Sequence, residues 1–112
     1  MVLRRTSTRF ETPAEVLAEA TRVSAELDAI GRTGRCLLMD VRDVPPNANE
    51  RLEAPLAALR DQIRRDFDRI AVLVQTKIGV LHANRIRTDD KDTESRIFDD
   101  EAAGREFLTS GF

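Results

Sequence analysis

The sequence predicts a single small α/β domain of about four mostly parallel strands alternating with four helices, spanning residues 1–112. Three observations lead to that class. Two short runs, residues 36–41 and 70–74, are almost continuously apolar, as strands covered on both faces are. Around them lie longer segments whose apolar residues recur at spacings of three and four, the mark of amphipathic helices. The two kinds of segment alternate along the chain, and such alternation implies a mostly parallel sheet with right-handed helical crossovers.

The first element, residues 2–10, is β-friendly and polar on one side, as an edge strand would be. A helix start follows. Thr12 is a capping residue, Pro13 suits the first helical position, and Glu15 stands where a capping box places its acid. Val16, Leu17, Ala20, Val23, Leu27 and Ile30 form the expected inner stripe, and Gly31 and Gly34 end the helix. After the run Cys36-Leu37-Leu38-Met39-Asp40-Val41, the residues Val44-Pro45-Pro46-Asn47 break the strand into a loop.

Helical spacing returns over residues 49–66 with Leu52, Leu56, Leu59, Ile63 and Phe67. Pro55 lies inside it without an N–H to donate, so the first turn or two is expected to be distorted. The strand Ile70-Ala71-Val72-Leu73-Val74 comes next. A third helix is expected over residues 76–87, with Gly79 weakening its start. Residues 88–93 are a charged turn and residues 94–98 a short strand. Asp99, Asp100 and Glu101 then supply negative charge to the start of a last helix, whose inner face is Ala102, Phe107 and Leu108.

Composition narrows the function. The 112 residues carry 18 basic and 20 acidic side chains, a net charge of −2, with both signs interleaved. A nucleic-acid binder shows a basic excess on one face, and this chain does not. Cys36 is the only cysteine, which excludes an intrachain disulfide and reads as a small buried apolar residue. No apolar run approaches the roughly 20 residues of a membrane span, and the start of the chain has no leader-like apolar stretch. A cytoplasmic protein without stable membrane insertion is the expectation.

The motifs of chemistry are sparse. No glycine-rich phosphate loop follows a strand, no serine sits in a nucleophile elbow, and one histidine with one cysteine does not make an ordinary zinc site. No catalytic residue, metal or cofactor is assigned. Asp40 stands out because it ends a buried strand, where open α/β sheets place ligand-binding groups, with Arg42 and Asp43 in the same loop. The three either form a small anion or metal site or serve to order that loop. His82 reads as a packed or surface residue. Arg60, Arg64 and Arg65, among Asp61, Asp66, Asp68 and Arg69, either form a patch for an acidic partner or pair with local carboxylates.

The third helix carries Ile78, Val80, Leu81 and Ile86 around more than one face. One side would cover the core and another meet a partner, or else both pack within the molecule.

Three stretches resemble one family: Leu37-Leu38-Met39-Asp40-Val41-Arg42, then Phe67-Asp68-Arg69-Ile70-Ala71-Val72-Leu73-Val74, then Arg96-Ile97-Phe98-Asp99-Asp100-Glu101-Ala102 with Phe107-Leu108. Together with Arg4-Arg5-Thr6 and Phe10 in the first strand, they are similar to the SpoIIAA-like, or STAS/SEC14-type, domains. The resemblance implies a small sheet flanked by helices, no enzymatic activity, and a role in protein contacts or apolar-ligand binding. Regulators of that type carry a phosphorylatable Ser or Thr near the start of the helix after the strand that ends here in Asp40. Residues 43–59 hold neither. The expected function is therefore a non-catalytic interaction or regulatory module lacking that switch, acting on a protein partner or as a homodimer. The alternative is a carrier or sensor holding a lipid or other apolar small ligand between the third helix and the sheet.

Overall fold

The computed structural model describes residues 2–4, 10–44 and 50–109. In chain order these form β1 (Val2–Arg4), α1 (Pro13–Ile30), β2 (Cys36–Asp40), a 3₁₀ turn (Glu50–Leu52), α2 (Glu53–Arg64), β3 (Arg69–Leu73), α3 (Lys77–Asp89), β4 (Ser95–Phe98) and α4 (Glu101–Thr109). The four strands make one parallel sheet in the order β1-β2-β3-β4, as the alternation of strand and helix predicts.

Strand periodicity sorts the core into two layers. Leu37 and Met39 of β2 and Ile70 of β3 face α1 and α2, where Val16, Ala20, Val23, Leu27, Leu59 and Ile63 close over them. Leu38, Ala71 and Leu73 face the other way and meet Leu108 of α4, with Phe98 and Phe107 alongside. The rings of Phe98 and Phe107 lie 5.6 Å apart at a tilt of 39°. Arg69 Nη1 donates to Phe107 O at 2.8 Å, which ties down the end of α4.

The helix ends follow their sequence signals. Thr12 Oγ1 accepts from Glu15 N at 3.3 Å, and Glu15 returns a carboxylate to the Glu11 N–H at 3.4 Å. Gly31 ends α1 with φ +99°, a region that glycine alone enters without strain. Of the expected α1 stripe, Val16, Ala20, Val23 and Leu27 are buried, whereas Leu17 and Ile30 are exposed. Leu17 stands a quarter turn or more off the stripe, and Ile30 is the last helical residue. The 3₁₀ turn before α2 is the distortion that Pro55 predicted. Pro55 itself occupies the first turn, where its missing N–H leaves no bond unmade. Residues 5–9 of the expected first strand, and Pro45, Pro46 and Asn47 of the predicted loop, lie outside the described residues.

Arg32, directly after α1, fastens the two helices of the first layer. Its side chain is 3% exposed. Nη1 donates to the carbonyls of Gln62, Ile63 and Arg65, which end α2 without helical partners. Nη2 donates to Ser24 O and Oγ at 3.3 and 3.1 Å. Nε lies 2.8 Å from Asp28 Oδ1, an ion pair without hydrogen-bond alignment. The guanidinium also stacks 5.7 Å from the centre of the Phe67 ring.

Candidate functional site

Two places combine the residues that sequence reasoning singled out. The first is the carboxyl end of β2. Asp40 points to the α4 face of the sheet and is 4% exposed. Its Oδ1 accepts from the Arg42 backbone N–H at 3.1 Å and from Arg42 Nε at 3.0 Å, while Oδ2 accepts from Arg42 Nη2 at 2.9 Å. Arg42 reaches on to Glu101 Oε1 at 3.2 Å, and Glu101 Oε2 in turn receives Arg105 Nε at 3.0 Å. The hydrogen bonds that Arg42 donates to Asp40, reinforced by the charges of Asp40, Glu101 and Asp43, outweigh desolvation and hold the Arg42 guanidinium above its usual range. The chain of charges therefore joins the turn after β2 to the start of α4.

An open depression of about 350 Å³ lies beside this chain, lined by Asp40, Arg42, Asp43 and Gln75. Asp43 is exposed. Both Asp40 oxygens accept from Arg42, which fixes the turn directly after β2. Among the described residues no group of three or more His, Cys, Asp or Glu side chains is placed to hold a metal ion.

The second place is α3, which has a different character. None of its thirteen residues is buried. Val80 and Ile86 are half-buried on a helix that packs beside β4. Ile78 and Leu81 point outward, 79% and 73% exposed, with His82 and Arg85 beside them. The four apolar residues thus divide between the two faces. Thr76 caps the helix, its Oγ1 accepting from Gly79 N at 2.9 Å. Gly79 does more than weaken the start, because a Cβ there would stand 3.4 Å from Val74 Cβ and 3.3 Å from Thr76 Oγ1. Its lack of a side chain lets the first turn sit close to the end of β3.

The far end of α3 is held by charge, a connection that sequence reasoning did not identify. Arg60 of α2 grips Asp90 with both nitrogens, Nε at 2.7 Å and Nη2 at 2.9 Å. Arg64 lies 3.5 Å from Asp90 and 3.7 Å from Asp92. Asp92 Oδ1 also accepts from the backbone N–H groups of Glu94 and Ser95 at 3.0 and 3.1 Å. Burial pushes both carboxyls up. In Asp90 the hydrogen bond and charge of Arg60, then Arg64, more than offset it and leave the group below the usual carboxylate range. In Asp92 the bonds from Ser95 and Glu94 and the charge of Arg64 do the same. Arg60 and Arg64 are thereby engaged within the molecule, and Arg65 sits near Asp28 and Asp66, at 4.0 and 3.8 Å. Their carboxylate partners Asp90 and Asp92 lie about 30 residues downstream, beyond the reach of helical spacing rules.

Cys36 is half-buried, with its thiol 3.6 Å from Leu108 O. No described helix is long and apolar enough to cross a membrane. No family model matches the chain, and neither a curated protein nor a solved structure matches it.

Proposed function

We propose that this chain is a non-catalytic interaction module whose docking surface is the outer face of α3. One observation carries the reading: a helix of thirteen residues buries none of them and holds Ile78 and Leu81 one turn apart in solvent. A helix that contributes so little to its own core, yet exposes two large aliphatic side chains on one side, suits a surface completed by a partner. The pairing of Asp40 with Arg42, and of Arg42 with Glu101, supports the same reading, since those charges are engaged within the molecule. The resemblance to SpoIIAA-like domains, which would imply protein contacts or apolar-ligand binding, is compatible with this reading and with the carrier alternative alike.

The test places a photo-crosslinking residue at position 81, with a control at exposed position 18 on α1. The purified protein and an extract of its source cells are irradiated. A defined protein adduct at 81 and none at 18 is the expected result. Absence of any protein adduct at 81 in both samples overturns the reading. A carrier of apolar molecules would instead show bound lipid in native mass spectrometry and a higher melting temperature with added fatty acid.

A further inference from the structure

Resting on that reading, we propose that the outer face of α3 receives an acidic amphipathic segment of a partner protein, its apolar side chains against Ile78 and Leu81 and its carboxylates against Arg85 and Lys77. Ile78, Leu81 and Arg85 follow one another at spacings of three and four, so they share one stripe of the helix, and all three are exposed. Arg85 differs from the arginines of the other helices. Arg22 in α1, Arg60 and Arg64 in α2 and Arg105 in α4 each pair with a carboxylate of this chain. Arg85 makes no hydrogen bond or ion pair among the described residues. A neutral apolar partner covering Ile78 and Leu81 would take that guanidinium out of water with nothing to offset its charge, and a basic one would repel it. A partner with carboxylates meets the charge where it stands.

The start of the helix points the same way. Helices α1, α2 and α4 each place an acid in the first turn, Glu15, Glu53 and Glu101, whereas α3 places none there and begins on Lys77. A cation at that position opposes the macrodipole, so Lys77 weakens the helix that carries it. Its side chain is exposed and, among the described residues, unpaired. The dipole end, Lys77 and Arg85 together make the first turns of this face positive, on a chain whose net charge is −2. Asp89, in the last turn, is the only acid among the exposed residues of α3. It therefore works against an acidic partner, and its removal serves as a test of the sign.

A displayed library of random peptides, about sixteen residues long so as to span the helix, tests the proposal. It is selected on the wild-type protein and counter-selected on Arg85→Glu, with far-UV circular dichroism confirming that each variant is folded. The enriched peptides should carry an excess of Asp and Glu interleaved with large apolar residues at helical spacing. Fluorescence anisotropy of the most enriched peptide should show binding weakened at least about tenfold by Arg85→Glu and about threefold by Lys77→Glu. Asp89→Asn should bind the peptide as well as wild type or better, and raising NaCl from about 0.05 M to about 0.5 M should weaken binding severalfold. Selection without enrichment overturns the proposal, as do enriched peptides without an acidic excess or binding indifferent to Arg85→Glu. The crosslink at position 81 separates this failure from that of the docking face. An adduct whose linked segment is neutral or basic leaves the face standing without the acidic partner, and no adduct in either sample removes both.

Discussion

Arg60 and Asp90, thirty residues apart, face each other side-on, with Nε and Nη2 of the arginine donating to Oδ2 and Oδ1 of the aspartate at 2.7 and 2.9 Å. The pair bolts the end of α3 to α2, where no buried apolar side chain of α3 does so. The Asp90 side chain is 7% exposed, and Arg64 adds a second cation at 3.5 Å.

The first prediction concerns acid. Asp90 and Asp92 have folded pKa values below their unfolded ones, so their contribution to stability is complete above the unfolded value of about 4. It is lost as pH falls through the folded values. Urea unfolding followed between pH 7 and pH 2.5 should therefore show stability dropping below about pH 4. Asp90→Asn should cost about 1–3 kcal/mol at pH 7 by leaving Arg60 without its fork, and should flatten the fall in acid. An unchanged acid limb in the variant would remove Asp90 from the account.

A second prediction concerns Arg32, whose two η nitrogens reach the closing carbonyls of α2 on one side and Ser24 on the other. Lysine keeps the charge and loses the fork. Arg32→Lys should cost about 2–4 kcal/mol and lower the melting temperature by roughly 10–15 °C, because buried carbonyls are left unsatisfied. A variant within 1 kcal/mol of wild type, as about the error of such comparisons, would mean that water replaces the lost bonds.

Particular residues show how far the sequence could be read. The caps Thr12 and Gly31 and the runs around Leu37 and Ile70 follow local rules, since one turn of backbone decides them. Asp40 was found by its place at a strand end, and its partner Arg42 is two residues away. Arg32 carries no local signal of its role, because only the assembled α1–α2 corner supplies its carbonyls. The Asp90 and Asp92 contacts with α2 were missed for the same reason. The exposure of Ile78 and Leu81 was legible only as an excess of apolar faces on one helix, since nothing local says which face meets β4.

A third prediction follows from the seat of α4 on the sheet. A Cβ added at Gly104 would meet Leu38 Cδ1 and Phe98 Cδ2 at 3.6 Å and Ala71 Cβ at 3.7 Å, ordinary contact distances. The helix therefore has room for one methyl group and no more. Gly104→Ala should stabilise the protein by about 0.5–1 kcal/mol through helix propensity. Gly104→Leu should destabilise it by about 1–3 kcal/mol by forcing α4 off Leu38 and Ala71. Denaturant midpoints of the two variants should move in opposite directions, and a loss in both would place the sheet closer to α4 than these distances allow.

The last prediction bears on how α3 serves a partner. Opening costs least where few apolar contacts must break, and α3 buries no residue while α1 buries four. What retains α3 is its cap at Thr76, the close seat of Gly79 on Val74, and the ion pairs of Asp90. Amide hydrogen exchange read by mass spectrometry should find peptides from residues 77–89 exchanging at least about tenfold faster than those from residues 16–27 at pH 7. Asp90→Asn should speed α3 further and leave α1 little changed, because the ion pair bears on one end of one helix. Leu81→Asp, by contrast, should leave exchange in α3 near wild type, since that side chain already stands in solvent. Equal protection of α1 and α3 in dilute protein would mean that α3 is fixed by its own fold and gains nothing from a partner.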